Sequence, residues 1–221
     1  KEDWIKLVGK VEREDDKVRM ENGMVMLYDH FQMAPELGSL LDPSTIKADL
    51  HTASFEQLQP VLKKALVNDS DKDIVERGVI AAGIAKAGQL LSKKYTLHIT
   101  NVPYLSRGKQ NKIMYDYCQK NFNEAKGDLA TVFLEKMLKS NTPGGTSCSV
   151  ILQNWLFLTT YKKYREKLLK NETFNIIARL GPKGFQTPMW DFNVMLIALS
   201  HARIYENQLI TGLDVSDSPN A

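Results

Sequence analysis

A chain of 221 residues, 43% hydrophobic and 25% charged, can bury one sizeable core and is too apolar in composition to be disordered or fibrous. No run approaches the roughly 18 apolar residues that span a bilayer, which excludes an evident membrane helix. A net charge of +3 and a pI near 8.7 permit nucleic-acid binding without demanding it.

The start, KEDWIKLVGK, has no long apolar stretch of the signal-peptide kind and no initiator Met; the expectation is a cytoplasmic piece of a longer polypeptide. Trp4 to Tyr28 reads as β-rich: WIKLVGKV alternates, EREDD is a charged turn, and Asn22-Gly23 is a strong hairpin signal leading into MVMLY. Asp29 would then end a strand. PELGSLLDPS, residues 35–44, is turn-rich. Ser54 opens an amphipathic helix, SFEQLQPVLKKAL, with Gln57 placed to close a capping box and Pro60 placed to kink it. A second helical run, DIVERGVIAAGIAKAGQLLSKK, follows, so residues 51–94 form a helical insertion behind a β-rich segment, 1–50.

YTLHITNVPY, residues 95–104, is the stretch with chemical content. Tyr95, Leu97 and Ile99 alternate with polar residues at the period of a half-buried strand. Pro103 lacks a backbone N–H and biases Val102 away from helix, so Asn101 to Tyr104 should leave the strand as a stiff extended loop. The Asn101 amide, the Val102 carbonyl and the Tyr104 ring together suit a planar base bearing an exocyclic amine. An ordinary Asn-x-Pro turn is the competing reading.

Downstream, Arg107, Lys109 and Lys112 form a small basic cluster, either a solvated loop or a phosphate contact. KIMYDYCQKNF reads as a helix, Asp128 opens another over DLATVFLEKMLKSN, Thr142-Pro143-Gly144-Gly145 terminates it, and SCSVIL is an apolar strand running into QNWLF. Trp155 there is read first as a core aromatic. YKKYREKLLKN is a basic helix, NIIARLG a strand, GPKGFQTPMWDF a loop and NVMLIALS a last strand, before a polar tail over 205–221 expected to fray. Cys118, Cys148 and the scattered His30, His51, His98 and His201 show no disulfide framework or metal-ligand spacing.

Asn101-Val102-Pro103-Tyr104 after a strand, followed by Gly127-Asp128-Leu129, an apolar helix, Pro143-Gly144-Gly145, a strand and QNWLF, resembles the adenine-specific (N6) DNA methyltransferases, in particular the large BREX-type phage-defence and restriction–modification methylases. Val102 stands where the family usually has proline, and Gln153 interrupts a later proline pattern. The resemblance covers about Tyr95 to Ser200 and implies an α/β fold. That fold is a partial Rossmann-like class I methyltransferase sheet flanked by helices, with residues 95–204 as the catalytic half. It further implies that Asn101, Val102, Pro103 and Tyr104 grip a flipped adenine in double-stranded DNA. Phe185, or failing it Trp190, would cover the base's other face, and Arg107 and Lys109 would meet phosphate. The implied methyl donor is S-adenosyl-L-methionine, with Asp29 as a contact to its adenine. No Gly-rich donor loop follows any strand pattern, so this chain alone is expected to be inactive and to need the remainder of a longer polypeptide. A non-catalytic nucleic-acid or protein interaction module that keeps only the fold is the rival: the missing glycines and Val102 favour it, while Asn101, Pro103 and Tyr104 oppose it.

Overall fold

A computed structural model of the protein describes residues 1–6, 8, 13–64, 83–182 and 192–216. The chain divides into two compact units, Lys1–Lys93 and Lys94–Ala221.

The described part of the first unit is helical, which corrects the β-rich expectation for residues 1–50. It comprises α1 (Glu2–Lys6), α2 (Glu14–Phe31), α3 (Ala34–Leu37), α4 (Phe55–Lys64) and α5 (83–92). Two physical reasons overrode the hairpin signal. Glu14, Asp15 and Asp16, read as a charged turn, occupy the first turn of α2, where negative charge complements the helix dipole. Asn22 and Gly23 lie mid-helix and serve as a contact surface: Asn22 Nδ2 donates to the His51 carbonyl at 2.7 Å, and a Cβ on Gly23 would fall 2.6 Å from the Ala53 carbonyl oxygen. Glycine is there for close approach, not for a turn. Met24, Leu27, Ile46, Phe55, Leu58 and Leu62 form the core of this unit. α4 begins as its sequence predicts, with Ser54 N–H donating to Gln57 Oε1 at 3.0 Å and Gln57 N–H to Ser54 Oγ at 3.4 Å, a reciprocal capping box.

The second unit carries β1 (Tyr95–Asn101), α6 (Lys112–Asn121), α7 (Leu129–Lys139), β2 (Asn141–Leu152), α8 (Lys162–Asn171), β3 (Thr173–Gly181), β4 (Val194–Ser200) and β5 (Thr211–Asp214). Its five strands form one mixed sheet in the order β1-β2-β4-β3-β5. β1 runs parallel to β2 and β3 to β5, while β4 lies antiparallel between β2 and β3. The α/β architecture, a sheet flanked by helices, is as expected. α7 is buried along most of its length and packs on β2; α8 is tied to it by Tyr164, whose hydroxyl donates to the Thr131 carbonyl at 3.2 Å. Lys167 reinforces the tie, reaching Glu135 at 2.8 Å and Glu124 at 3.3 Å.

Three local expectations need correction. β2 starts at Asn141, so Pro143, Gly144 and Gly145 lie within the strand; Gly144 takes a φ of 79°, and Gly145 accepts from the His201 N–H at 2.8 Å. Residues 211–214 of the tail are β5, held to β3 by the Arg179–Asp214 pair at 3.0 Å. The alternation in β1 is not carried into burial: Leu97 and Ile99 are 53% and 75% exposed, Thr96 and Thr100 are exposed too, and Tyr95 and His98 are half-buried, His98 with Nδ1 2.7 Å from Asn141 Oδ1.

Candidate functional site

Asn101 ends β1 opposite Val150 of β2, so the loop that follows sits at the carboxyl end of a parallel pair, where open α/β sheets place ligand sites. Val102 turns inward and is 4% exposed, anchoring the loop by its side chain, while Asn101 and Pro103 face solvent. Tyr104 folds back so that its hydroxyl donates to Asn101 Oδ1 at 3.2 Å. Its half-buried ring meets Phe192 edge-on, the centroids 6.4 Å apart and the planes at 76°. Burial, with a smaller contribution from the negative charge of Asp128, raises the Tyr104 phenol to about 12; it stays a protonated donor at neutral pH.

Asp128 is the residue that fixes the far side of the loop. Its Oδ1 accepts from Ala130 N–H at 2.9 Å, capping α7, and from Leu105 N–H at 3.3 Å. Leu129 N–H returns a bond to the Leu105 carbonyl at 2.9 Å, and Arg107 N–H donates to Gly127 O at 3.0 Å. A Cβ on Gly127 would lie 2.5 Å from the Tyr161 hydroxyl, so the glycine lets Tyr161 close over this crossing. Burial raises the Asp128 carboxyl, and the two backbone hydrogen bonds oppose that rise. Beyond it opens a cleft of about 470 Å³, lined by Ser106, Arg107, Asp128, Asn154 and Tyr161 among others.

Other residues singled out in the sequence divide. Arg107 donates to Gln119 Oε1 at 2.7 Å and stacks its guanidinium 3.6 Å from the centre of the Tyr115 ring, so much of it is committed to α6. Lys109 is exposed in the adjoining short turn. Phe185 and Trp190 lie outside the described residues. Asp29 lies near the end of α2, not at the end of a strand, and pairs with Lys1 at 2.8 Å; the strand geometry that suggested a cofactor contact is absent. Trp155 is fully buried against Tyr164, ring centroids 5.5 Å apart, as a core aromatic should be. Sequence reasoning missed Phe192 as a neighbour of Tyr104 and Asp128 as a loop anchor. For Asp128 the signal was available, since an N-cap carboxylate has a second oxygen lone pair free for a neighbouring chain; for Phe192 the only hint was its place immediately before β4.

Among the described residues no His, Cys, Asp and Glu group of metal-binding size occurs, and no described helix is long and apolar enough to cross a membrane.

Residues 22–185 match the family model described as Eco57I restriction-modification methylase. The chain is 30% identical over 103 residues to adenine-specific methyltransferase PglX of Lacticaseibacillus casei (strain Zhang), covering 47% of this chain and 8% of that protein. It is 28% identical over 125 residues to adenine-specific methyltransferase BrxX of Escherichia coli O9:H4 (strain HS), covering 53% of this chain and 10% of that one. A crystal structure of a class I S-adenosylmethionine-dependent methyltransferase from Listeria monocytogenes superposes with a TM-score of 0.46 at 12% identity, over 96% of this chain and 70% of that one. The match to the family model spans most of the sequence and includes the loop from Asn101 to Tyr104; the chain belongs to the Eco57I restriction-modification methylase family.

Proposed function

We propose that the second unit is the target-base half of a DNA adenine N6-methyltransferase of a restriction–modification or phage-defence system. The donor, S-adenosyl-L-methionine, would be held by other parts of a longer polypeptide. The observation that supports this reading is the convergence of Asn101 Oδ1 and the Tyr104 ring, with Phe192 beside it, on a loop leaving the carboxyl end of β1.

The chemistry asked of these residues is binding and orientation. An adenine inside a duplex hides its amine, so it is extruded at a cost of a few kcal/mol that pocket contacts must offset. Asn101 Oδ1 and the Val102 carbonyl accept the two amine hydrogens, fixing the plane of the nitrogen and leaving its lone pair directed away from them. Tyr104 supplies a face for stacking. When the base arrives, its amine displaces the Tyr104 hydroxyl from Asn101 Oδ1, exchanging one neutral hydrogen bond for another. Duplex DNA is the polymer partner in this reading, with the exposed Lys109 near its backbone, while the Arg107 guanidinium is held against Tyr115 and Gln119.

The test is Asn101→Ala in the longer polypeptide, which should lower methyl transfer by about 10²–10³-fold, the loss typical of one polar group aligned on a reacting centre. Affinity for duplex DNA should change little, because phosphate contacts dominate it. Retained transfer removes Asn101 from the reaction. A non-catalytic interaction module is the second reading, favoured by Val102 in the place of the family's proline; it predicts that Asn101→Ala changes nothing but local stability.

A further inference from the structure

Phe157 is 73% exposed, yet the backbone beneath it is firmly held. The chain leaves β2 through a single tight helical turn, Gln153–Leu156, and the Asn154 carbonyl accepts from both Phe157 N–H and Leu158 N–H at 3.0 Å. Arg165 reaches over from α8 with one nitrogen, Nη1, and donates to the carbonyls of Trp155 and Leu158, each at 2.7 Å. The Trp155 ring is fully buried below. A lone surface phenylalanine needs no explanation; the place of this one supplies a reason for it.

β1 and β2 run parallel, with Asn101 opposite Val150, so the turn that starts at Gln153 lies at the same end of the sheet as the Asn101–Tyr104 loop. Contacts on both sides tie the turn to that loop. Gln153 N–H donates to the Asn193 carbonyl at 3.0 Å, next to Phe192, whose ring meets Tyr104. On the other side Asn154 and Leu158 line the cleft that Ser106, Arg107 and Asp128 also line. Phe157, Leu158 and Phe192, the last two 48% and 47% exposed, thus present apolar surface around a loop read as gripping one base. Phe192 is engaged with Tyr104 and Leu158 with the cleft, which leaves Phe157 as the ring of the three that projects furthest into solvent.

We propose that Phe157 is a wedge: when duplex DNA docks and the target adenine rotates out toward Asn101, the Phe157 ring enters the stack that the adenine vacates. This deepens the reading of the chain as part of an adenine methyltransferase, and rests on it. Extruding a base costs a few kcal/mol and leaves a flat gap between two base faces. An apolar side chain inserted there recovers part of the lost stacking and opposes the return of the base. Phenylalanine has two side-chain torsions to fix, and the Arg165 clamp has already ordered its backbone, so little freedom is lost on insertion.

The test is single-turnover methyl transfer by the longer polypeptide on two duplexes carrying the adenine that sequencing of methylated DNA identifies as its target. In one duplex that adenine is paired with thymine. In the other a pyrene nucleotide stands opposite it, filling the stack and excluding the adenine from it. Phe157→Ala should lower transfer at least about tenfold on the paired duplex, within the range for one base stacked on an aromatic side chain, and should match the unsubstituted enzyme on the pyrene duplex. Phe157→Leu, which keeps apolar bulk, should retain most of the transfer on the paired duplex. Asn101→Ala should stay slow on both, since pyrene replaces a wedge and not a hydrogen-bond acceptor. Undiminished transfer by Phe157→Ala on the paired duplex overturns the wedge. So does an equal deficit on both duplexes, the result expected if the ring packs against another part of the polypeptide, and so does a lowered urea midpoint for Phe157→Ala in the 221-residue chain. Any of these leaves the methyltransferase reading standing; an unsubstituted enzyme that methylates no adenine overturns that reading and the wedge with it.

Discussion

Tyr104 links the geometry of the loop to its use, because one side chain both stacks and donates. Its phenol is raised from the ordinary 10.0 to about 12 by burial first and the Asp128 charge second. A tyrosine whose folded value is raised contributes stability in full below the unfolded value, and the contribution is lost as pH climbs through the folded one. Its hydrogen bond to Asn101 should therefore persist past pH 10 and fail only toward 12; the phenolate step near 12 should vanish from the alkaline ultraviolet titration of Tyr104→Phe. That variant keeps the ring against Phe192 and loses one neutral hydrogen bond, an effect of about 0.5–1.5 kcal/mol on stability by urea titration. Tyr104→Ala removes the stacking face as well, and binding of an extruded base, read by fluorescence of a 2-aminopurine substituted at the target position in the longer enzyme, should weaken by about 1–3 kcal/mol. Equal binding by the Ala and Phe variants would place the base elsewhere.

Secondary structure in this chain follows its sequence wherever a local signal and the packing agree. Ser54 with Gln57 announced α4 and closes the box it promised, so Ser54→Ala should cost about 1 kcal/mol in urea unfolding of the chain. Pro103 announced the stiff exit from β1, and that loop was legible because a missing N–H acts on its own neighbours. Asn22-Gly23 misled because the same pair that builds a tight hairpin also lets a helix press against another backbone, and nothing local tells the two apart. Gly23→Ala tests the close contact. In a solvent-facing helix that change stabilises by about 1 kcal/mol; here the added methyl would fall 2.6 Å from the Ala53 carbonyl oxygen. A loss of about 1–3 kcal/mol is expected from the forced displacement. A more stable variant would show that no backbone presses on this position of the helix. The strand at 211–214 escaped notice for a related reason: its four residues gain their structure from the edge of β3, which is remote in sequence.

For the molecule as a whole, period is written in the sequence and burial is not. The alternation in YTLHIT says which residues share a face of β1, but burial depends on elements elsewhere: Leu97 and Ile99 are exposed on one face, and so are Thr96 and Thr100 on the other. The same ambiguity holds across β2 and β4, where Ile151 and Leu196 occupy neighbouring register positions on opposite faces, one with no exposure and the other 43% exposed. Truncating each to alanine separates the faces energetically. Ile151→Ala opens a hole among packed neighbours and should destabilise the 221-residue chain by about 2–5 kcal/mol. Leu196→Ala removes atoms that water already reaches, and its cost should stay near 0.5 kcal/mol, the usual size of a surface change. Equal costs would show both faces covered, and the asymmetry of the sheet at β2 and β4 would have to be given up.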